Sequence, residues 1–314
     1  MEVPKIFMYI GLATSVLILT RLVKTVYIYI RPSSLSRYCK DGDEPWAFVT
    51  GASDGIGLGF AQELCARGFN VFLHGRNLEK LRRIQETLRQ EYPTRQTRTI
   101  VYDASQISAS IDDIASQIGE TTRLTVLINN VGGMGMMMPC PYINLQDFTF
   151  EDMQSVLNVN ATFSAHITRV LLPLLLKNQP GLIINISSTT KFGMPWLTPY
   201  VATKAFAIGF SDALSAEMRA DKHDVEVLGV IVGSVQSASN PATTSFFTPS
   251  SRAMASAVLD RVGCGELSVW GHWAHRLQGI ALDVLSQKMF QSIATTQLRR
   301  LRLEILDQEE KKSK

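Results

Sequence analysis

Ala47-Phe48-Val49-Thr50 leads into Gly51-Ala52-Ser53-Asp54-Gly55-Ile56-Gly57, and the helical periodicity of residues 58–68 (LGFAQELCARG) follows at once. The order is apolar strand, glycine-rich loop, helix. Glycines in that setting let the backbone turn tightly and approach a pyrophosphate, which then meets the positive end of the helix. Gly51, Ser53, Asp54, Gly55, Ile56 and Gly57 are therefore the predicted cradle for the phosphates of a dinucleotide.

Outward from this loop the same alternation continues. Residues 70–74 (NVFLH), 98–102 (RTIVY), 124–129 (LTVLIN), 181–187 (GLIINIS) and 225–232 (VEVLGVIV) read as buried strands, and segments such as 77–92 (NLEKLRRIQETLRQEY) as helices. Continuous apolar strands alternating with helices predict an α/β fold, a doubly wound parallel sheet with helices on both faces.

The 314 residues are 46% hydrophobic and 19% charged. This much apolar surface offsets the entropy of ordering the chain and excludes intrinsic disorder. A net charge of +3 is too small to suggest a nucleic-acid binder. Cys39, Cys65, Cys140 and Cys264 lie far apart, so reduced thiols are expected in place of a disulfide scaffold. His272 and His275 imitate a metal pair, but no carboxylate or cysteine cluster joins them and a structural zinc needs four ligands, so no metal site is expected.

Thr50-Gly51-x3-Gly55-x-Gly57 resembles the short-chain dehydrogenase/reductase superfamily, and further matches follow in the family's order. Asp103 ends the third strand, where the family holds the adenine ring. Asn129-Asn130-Val131-Gly132 ends the fourth and resembles Asn-Asn-Ala-Gly, with Asn130 as a cofactor residue. Ser187-Ser188 ends the fifth, and Tyr200-Val201-Ala202-Thr203-Lys204 gives Tyr-x3-Lys. The resemblance runs from about residue 45 to 240. It is nearest the 17β-hydroxysteroid dehydrogenase and very-long-chain 3-oxoacyl-CoA reductase branch, which implies a Rossmann-like fold, a nicotinamide cofactor and residence in the endoplasmic reticulum. A homodimer is an assembly it allows.

The second strand ends His74-Gly75-Arg76. An enzyme using NAD usually places Asp or Glu there for the ribose hydroxyls, where it would repel the 2′-phosphate of NADP. Here the expected acid position is Gly75, and Arg76 beside it offers a planar fork suited to a phosphate. The expected cofactor is NADP(H).

Carbonyl reduction needs a hydride from the nicotinamide and a proton for the developing alkoxide. A lysine four residues along a helix lies on the tyrosine's face, so Lys204 is expected to bring its charge to Tyr200 and lower that phenol's pKa. By resemblance Lys204 also holds the nicotinamide ribose. A serine hydroxyl bonds the substrate oxygen. Ser187 satisfies the family spacing of thirteen residues to the tyrosine, whereas Ser188 matches the motif as second of the pair and is favoured. The resemblance adds an asparagine in a locally opened helix, for which Asn160 leads over Asn158. After the sixth strand the family's Pro-Gly-x-Val-x-Thr cups the nicotinamide. Val232-Gly233-Ser234-Val235-Gln236-Ser237 stands here, with Ser237 in place of the threonine and no proline to stiffen the loop.

At the N-terminus the run Ile6–Thr20 carries no charge, and Arg21, Lys24, Arg31, Arg37 and Lys40 follow it. Fifteen residues are short of the roughly 20 that span a bilayer, a difference that snorkelling by Arg21 and Lys24 makes up. The basic flank predicts a single span with everything after it in the cytosol. Lys311-Lys312-Ser313-Lys314 resembles a dilysine retrieval signal. The expected organisation is an anchor and linker over 1–40, a catalytic domain over 41–265 and an apolar helical extension over 266–314.

On the substrate side, residues 133–143 are rich in methionine and suit a lipophilic pocket wall. Residues 242–262 match the family's substrate loop, and Trp270, Trp273, Leu277, Ile280 and Leu285 suggest an apolar, membrane-grazing surface. The expected function is a membrane-anchored NADP(H) oxidoreductase acting on a lipophilic ketone or secondary alcohol: a steroid, a 3-oxoacyl chain, or a terpenoid or polyketide intermediate. Loss of Tyr200 or Lys204 would favour an inactive binding or scaffold protein on the same fold, and both are present.

Overall fold

A computed structural model describes residues 3–39, 44–120, 122–134, 142–238 and 240–313. The methionine run from Gly135 to Pro141, with Cys140, lies outside the described residues, as do Lys40 and Lys314 of the terminal motif. The described chain runs α1 (Val3–Ile30), β1 (Trp46–Val49), α2 (Gly55–Ala66), β2 (Asn70–Gly75), α3 (Leu78–Glu91), β3 (Thr97–Val101), α4 (Asp113–Ile118) and β4 (Leu124–Asn129). It continues with α5 (Phe150–Leu157), α6 (Phe163–Lys177), β5 (Gly181–Ser188), α7 (Thr198–Ala220), β6 (Val225–Val232), α8 (Ser251–Leu259), β7 (Ser268–Trp270), α9 (Trp273–Val284) and α10 (Gln287–Ser313).

The strands form one parallel sheet in the order β3-β2-β1-β4-β5-β6-β7. Alternate residues of each strand face opposite sides, so the apolar runs fill two cores. Ala47, Val49, Val71 and Leu73 pack with Leu64, Leu81, Met254 and Val258 beneath α2, α3 and α8. Phe48, Phe72 and Leu127 pack with Ile114, Phe163, Ile167 and Leu214 beneath α4, α6 and α7. The chain reverses direction across the sheet between β1 and β4. Beyond the carboxyl ends of those strands lies the crevice that such folds use for ligands.

Three boundaries differ from the sequence reading. A seventh strand, β7, pairs with β6 beyond residue 265, so the sheet recruits part of the extension. The supposed linker before residue 40 belongs to the domain. Ile28, Leu35 and Tyr38 are buried, the Tyr38 hydroxyl donates to Glu226 Oε2 at 2.7 Å, and its carbonyl accepts from Thr125 Oγ1 at 3.0 Å. Residues 251–259 of the supposed substrate loop form α8, whose Met254, Ala255, Val258 and Leu259 are core residues. Their apolar spacing is helical and closes one face of the sheet, which leaves the loop before Ser251 for the substrate side.

Both ends of the chain project apolar side chains. α1 runs unbroken through Arg21 and Lys24 for 28 residues, about 42 Å at 1.5 Å per residue, so the apolar segment is longer than Ile6–Thr20 alone suggests. Its stretch Lys5–Ile30 is long and apolar enough to cross a membrane by length and composition. On α9, Trp273, Leu277, Ile280 and Val284 are exposed, whereas Trp270, grouped with them from sequence, is buried in β7 and stacks on Phe192 at 6.1 Å. Leu285 is half-buried.

Candidate active site

The glycine loop starts where Thr50 ends β1. The Thr50 hydroxyl accepts from the backbone N–H groups of Asn130 (2.8 Å) and Val131 (3.0 Å), and donates to Ile128 O at 3.1 Å. The loop is thereby fastened to the end of β4. A Cβ on Gly57 would lie 2.1 Å from Gly51 O, so only glycine lets the first turn of α2 close on the loop. Asp54 caps α2 by accepting from Gly55 N at 2.6 Å and pairs with Lys80 at 2.7 Å. Its carboxylate is thus committed to the loop's own geometry. Ser53 and Ile56 are half-buried at the mouth of the crevice.

Sequence reasoning passed over His74 of β2 as a support for this loop. Gly51 N donates to its Nδ1 at 3.4 Å, and its ring stacks on Phe163 at 4.8 Å. Burial lowers its pKa to about 4, which keeps the imidazole neutral and Nδ1 an acceptor. The alternation of the strand hints only that position 74 is buried.

Gly75 directs its missing side chain toward Ser53, whose Oγ is 3.5 Å from where a Cβ would stand. Arg76 is exposed and forms no ion pair or hydrogen bond among the described residues. A free guanidinium next to a glycine where a ribose-binding acid would stand fits a phosphorylated ribose. Asp103 accepts from Ser105 N (2.9 Å) and Oγ (2.8 Å), shaping the turn after β3. Asn130 Nδ2 donates to Thr50 O at 3.1 Å. Ser237 arrives from the loop after β6, its Cβ 3.3 Å from where one would stand on Gly55. Asp54, Gly55, Gln236 and Ser237 share a cleft of about 440 Å³. The loop is not left free by the missing proline, since its backbone bonds to His275 of α9.

Farther along the edge, the two serines separate. Ser187 Oγ donates to Lys204 O at 2.5 Å and is buried against α7. Ser188, facing the other way, stands beside the Tyr200 phenol, which it favours in the ionised form, and accepts from Thr190 N at 3.2 Å. Strand alternation forces this division, because one neighbour must face the sheet's covering helix. The motif position, and not the spacing of thirteen, gives the serine at Tyr200.

Tyr200 and Lys204 lie one turn apart on α7, with the Lys204 ammonium 5.5 Å from the centre of the Tyr200 ring. Lys204 Nζ also donates to Ile186 O at 3.2 Å. The expected lowering of the tyrosine's pKa is not what this environment gives. Burial pushes Tyr200 up to about 12 despite the opposing influence of the Ser188 hydroxyl, and burial lowers Lys204 to about 8. The phenol is held in its proton-carrying form.

Between α5 and α6 the helix widens into a π-type turn, Asn158–Thr162. Asn160 is buried there. Its Nδ2 takes the carbonyl of Val156 (3.0 Å) and that of Gly133 (3.0 Å), and its Oδ1 accepts from Gly133 N at 2.8 Å. Asn160 Oδ1 and Lys204 Nζ converge on Gly132, 2.7 and 3.0 Å from where its Cβ would stand. Asn158 bonds instead to Ser105 O at 2.8 Å, away from this point. Asn185 is buried as well, donating to Ser211 Oγ at 2.9 Å. Asn160-Ala161-Thr162 and Asn185-Ile186-Ser187 have the Asn-x-Ser/Thr pattern of glycosylation acceptors, and burial closes both in the folded chain.

The short chain dehydrogenase family model matches residues 45–246. The chain is 29% identical over 309 residues to the very-long-chain 3-oxoacyl-CoA reductase of Pyricularia oryzae, covering 92% of this chain and 90% of that one. It is 36% identical over 187 residues to human 17-beta-hydroxysteroid dehydrogenase type 3, covering 58% and 57%. A Shigella flexneri short chain dehydrogenase solved with NADP superimposes with a TM-score of 0.62 at 25% identity, over 73% of this chain and 95% of that one. The fold these proteins share binds a nicotinamide cofactor and serves oxidoreductases of hydroxyl and keto groups. A match that spans the sheet edge just described, with relatives aligned along the remainder, makes this chain a member of the short-chain dehydrogenase/reductase superfamily, in the branch of very-long-chain 3-oxoacyl-CoA reductases and 17β-hydroxysteroid dehydrogenases.

Proposed function

We propose that the protein is a membrane-anchored, NADP(H)-dependent reductase or dehydrogenase that interconverts a ketone and a secondary alcohol on a lipophilic substrate. The observation that carries the reading is the convergence of a protonated Tyr200, the Ser188 hydroxyl beside it and the Lys204 ammonium at one sheet edge. The glycine loop would hold the pyrophosphate, Arg76 the 2′-phosphate, Asp103 and Asn130 the adenine side, and Lys204 with Ser237 the nicotinamide end. When bound, NADPH supplies the hydride.

This chain's residues supply everything else. Ser188 donates a hydrogen bond to the substrate oxygen as negative charge grows on it. Tyr200 carries the proton that this oxygen receives. Lys204, charged at neutral pH, stabilises the phenolate left behind. Asn160 fixes the Gly132–Gly133 turn beside Lys204, and a water held at the widened Asn158–Thr162 turn would pass a proton from bulk solvent back to the phenolate.

Lipophilic substrates suit the cluster around the phenol. Met134, Val156 and Leu197 are buried there, with Tyr142, Ile143, Met194 and Leu298 packed against them beside Tyr200. The exposed apolar length of α1, its basic flank and the lysines at the C-terminus support an endoplasmic reticulum membrane protein whose catalytic domain faces the cytosol. Full-length protein in vesicles, given NADPH and a panel of 3-oxoacyl-CoA, ketosteroid and isoprenoid ketones, should oxidise the cofactor with at least one of them. Absence of both NADPH binding and turnover of every ketone would overturn the reading.

A further inference from the structure

His275 lies on α9, far in sequence from every residue assigned above, and is fully buried. Gly233 N donates to its Nδ1 at 3.1 Å. That nitrogen is therefore an acceptor, and a neutral imidazole must carry its proton on Nε2. Nε2 lies 3.1 Å from Ser234 O and 3.2 Å from Phe247 O, so the N–H is shared between two carbonyls. A Cβ on Gly233 would come within 2.9 Å of the imidazole, so the loop passes this closely only because position 233 is glycine.

Of the two segments that meet at the ring, the first leads into the cleft and the second lies in the stretch 242–250 that resembles the family's substrate loop. Gly233 and Ser234 open the loop that delivers Gln236 and Ser237 to Gly55. Phe247 belongs to the tight turn closed by reciprocal backbone bonds between Ser245 and Thr248. Its neighbour Phe246 packs edge-on against Trp273, two residues before His275 on the same helix.

We propose that His275 is a positioning residue that fastens the Gly233–Ser237 wall of the dinucleotide cleft to the 245–248 turn on the substrate side. A proline would stiffen the first segment through its own ring. Here an imidazole stiffens it through space and at the same time sets its distance from the second. Cofactor and substrate walls consequently move together. The proposal rests on the reading of the cleft as a dinucleotide site.

The test uses the full chain with His275→Phe, His275→Asn and His275→Gln. Phe keeps the ring volume and removes both functions. Asn keeps an acceptor near Nδ1, and Gln keeps a donor near Nε2. Amide hydrogen exchange without cofactor should speed up over 233–237 and 245–248 in His275→Phe, while β5 stays protected. His275→Asn should retain protection at 233–237 only, and His275→Gln at 245–248 only. With NADPH, kcat/KM should fall about tenfold in His275→Phe, with a raised KM for NADPH and partial recovery in the other two.

A merely structural histidine would raise exchange throughout β6 and α9 and leave KM for NADPH unmoved, which overturns the proposal. So would wild-type exchange over both segments in all three variants. If His275→Phe unfolds, the Asn and Gln pair decides, and identical patterns in the two overturn it. A wild-type chain that neither binds nor oxidises NADPH removes the functional reading instead, and the exchange pattern still judges the clamp.

Discussion

The Lys204 ammonium stands 5.5 Å from the centre of the Tyr200 ring, with Lys204 buried and Tyr200 half-buried at the sheet edge. Burial raises the phenol to about 12 and lowers the ammonium to about 8. Both shifts disfavour charge, and they define the pH range in which the pair works. Below about 8 Lys204 is charged and Tyr200 holds its proton. Above it Lys204 becomes neutral while Tyr200 still holds its proton. Reduction should therefore lose rate as pH rises through about 8, approaching about tenfold per unit where Lys204 is mostly neutral. A kcat/KM profile from pH 6 to 10 checks this, and a flat profile would remove Lys204 from the proton chemistry.

Tyr200→Phe should lower turnover at least a hundredfold, the order of magnitude that a general acid contributes, while NADPH affinity stays within about twofold. On the proposed mechanism the hydroxyl carries the proton, whereas the glycine loop, Arg76 and Lys204 would hold the cofactor. Cofactor titration by fluorescence beside steady-state rates separates the two effects.

The neighbouring serines should give opposite signatures. Ser188→Ala removes the hydroxyl at Tyr200 and should cut kcat about a hundredfold with little change in Tm. Ser187→Ala breaks the bond to Lys204 O and should cost about 1–3 kcal/mol of stability with a much smaller loss of kcat. Thermal melts and rates of both variants decide which serine faces the reacting oxygen.

Arg76→Asp should shift the cofactor preference from NADPH toward NADH. The substitution removes the free guanidinium and places a carboxylate beside the 2′-phosphate. The ratio of kcat/KM for the two cofactors is the measurement, and an unchanged ratio would make Arg76 a surface residue only.

Two truncations should part company. Deleting residues 1–23 removes most of the exposed helix and should weaken membrane association, with the fold intact. Deleting residues 1–40 also strips Ile28, Leu35 and Tyr38 from the core, at about 1.5–3 kcal/mol for each large side chain exposed. Pelleting with vesicles reads the first effect and denaturant melts read the second.

The α/β alternation, the glycine loop and the order of the family motifs are local patterns, and the sequence alone determined them. A strand's apolar run and a helix's periodicity are set by neighbours two to four residues away. The loop's identity follows from glycines whose roles are steric, as at Gly57 against Gly51 O.

What only the tertiary structure decided depends on groups distant in the chain. Ser187 and Ser188 are told apart by which side of β5 carries α7. Asn160 and Asn158 part because the widened turn points the first at Gly133 and Lys204 and the second at Ser105. Tyr38 joins the core through Glu226 and Thr125, and the loop that lacks a proline is held by a histidine 42 residues away. The pKa order of Tyr200 and Lys204 was also out of reach, because spacing on a helix fixes the distance between two groups but not their burial. Desolvation is a property of everything packed around a site, and it outweighs the attraction that the spacing alone predicts.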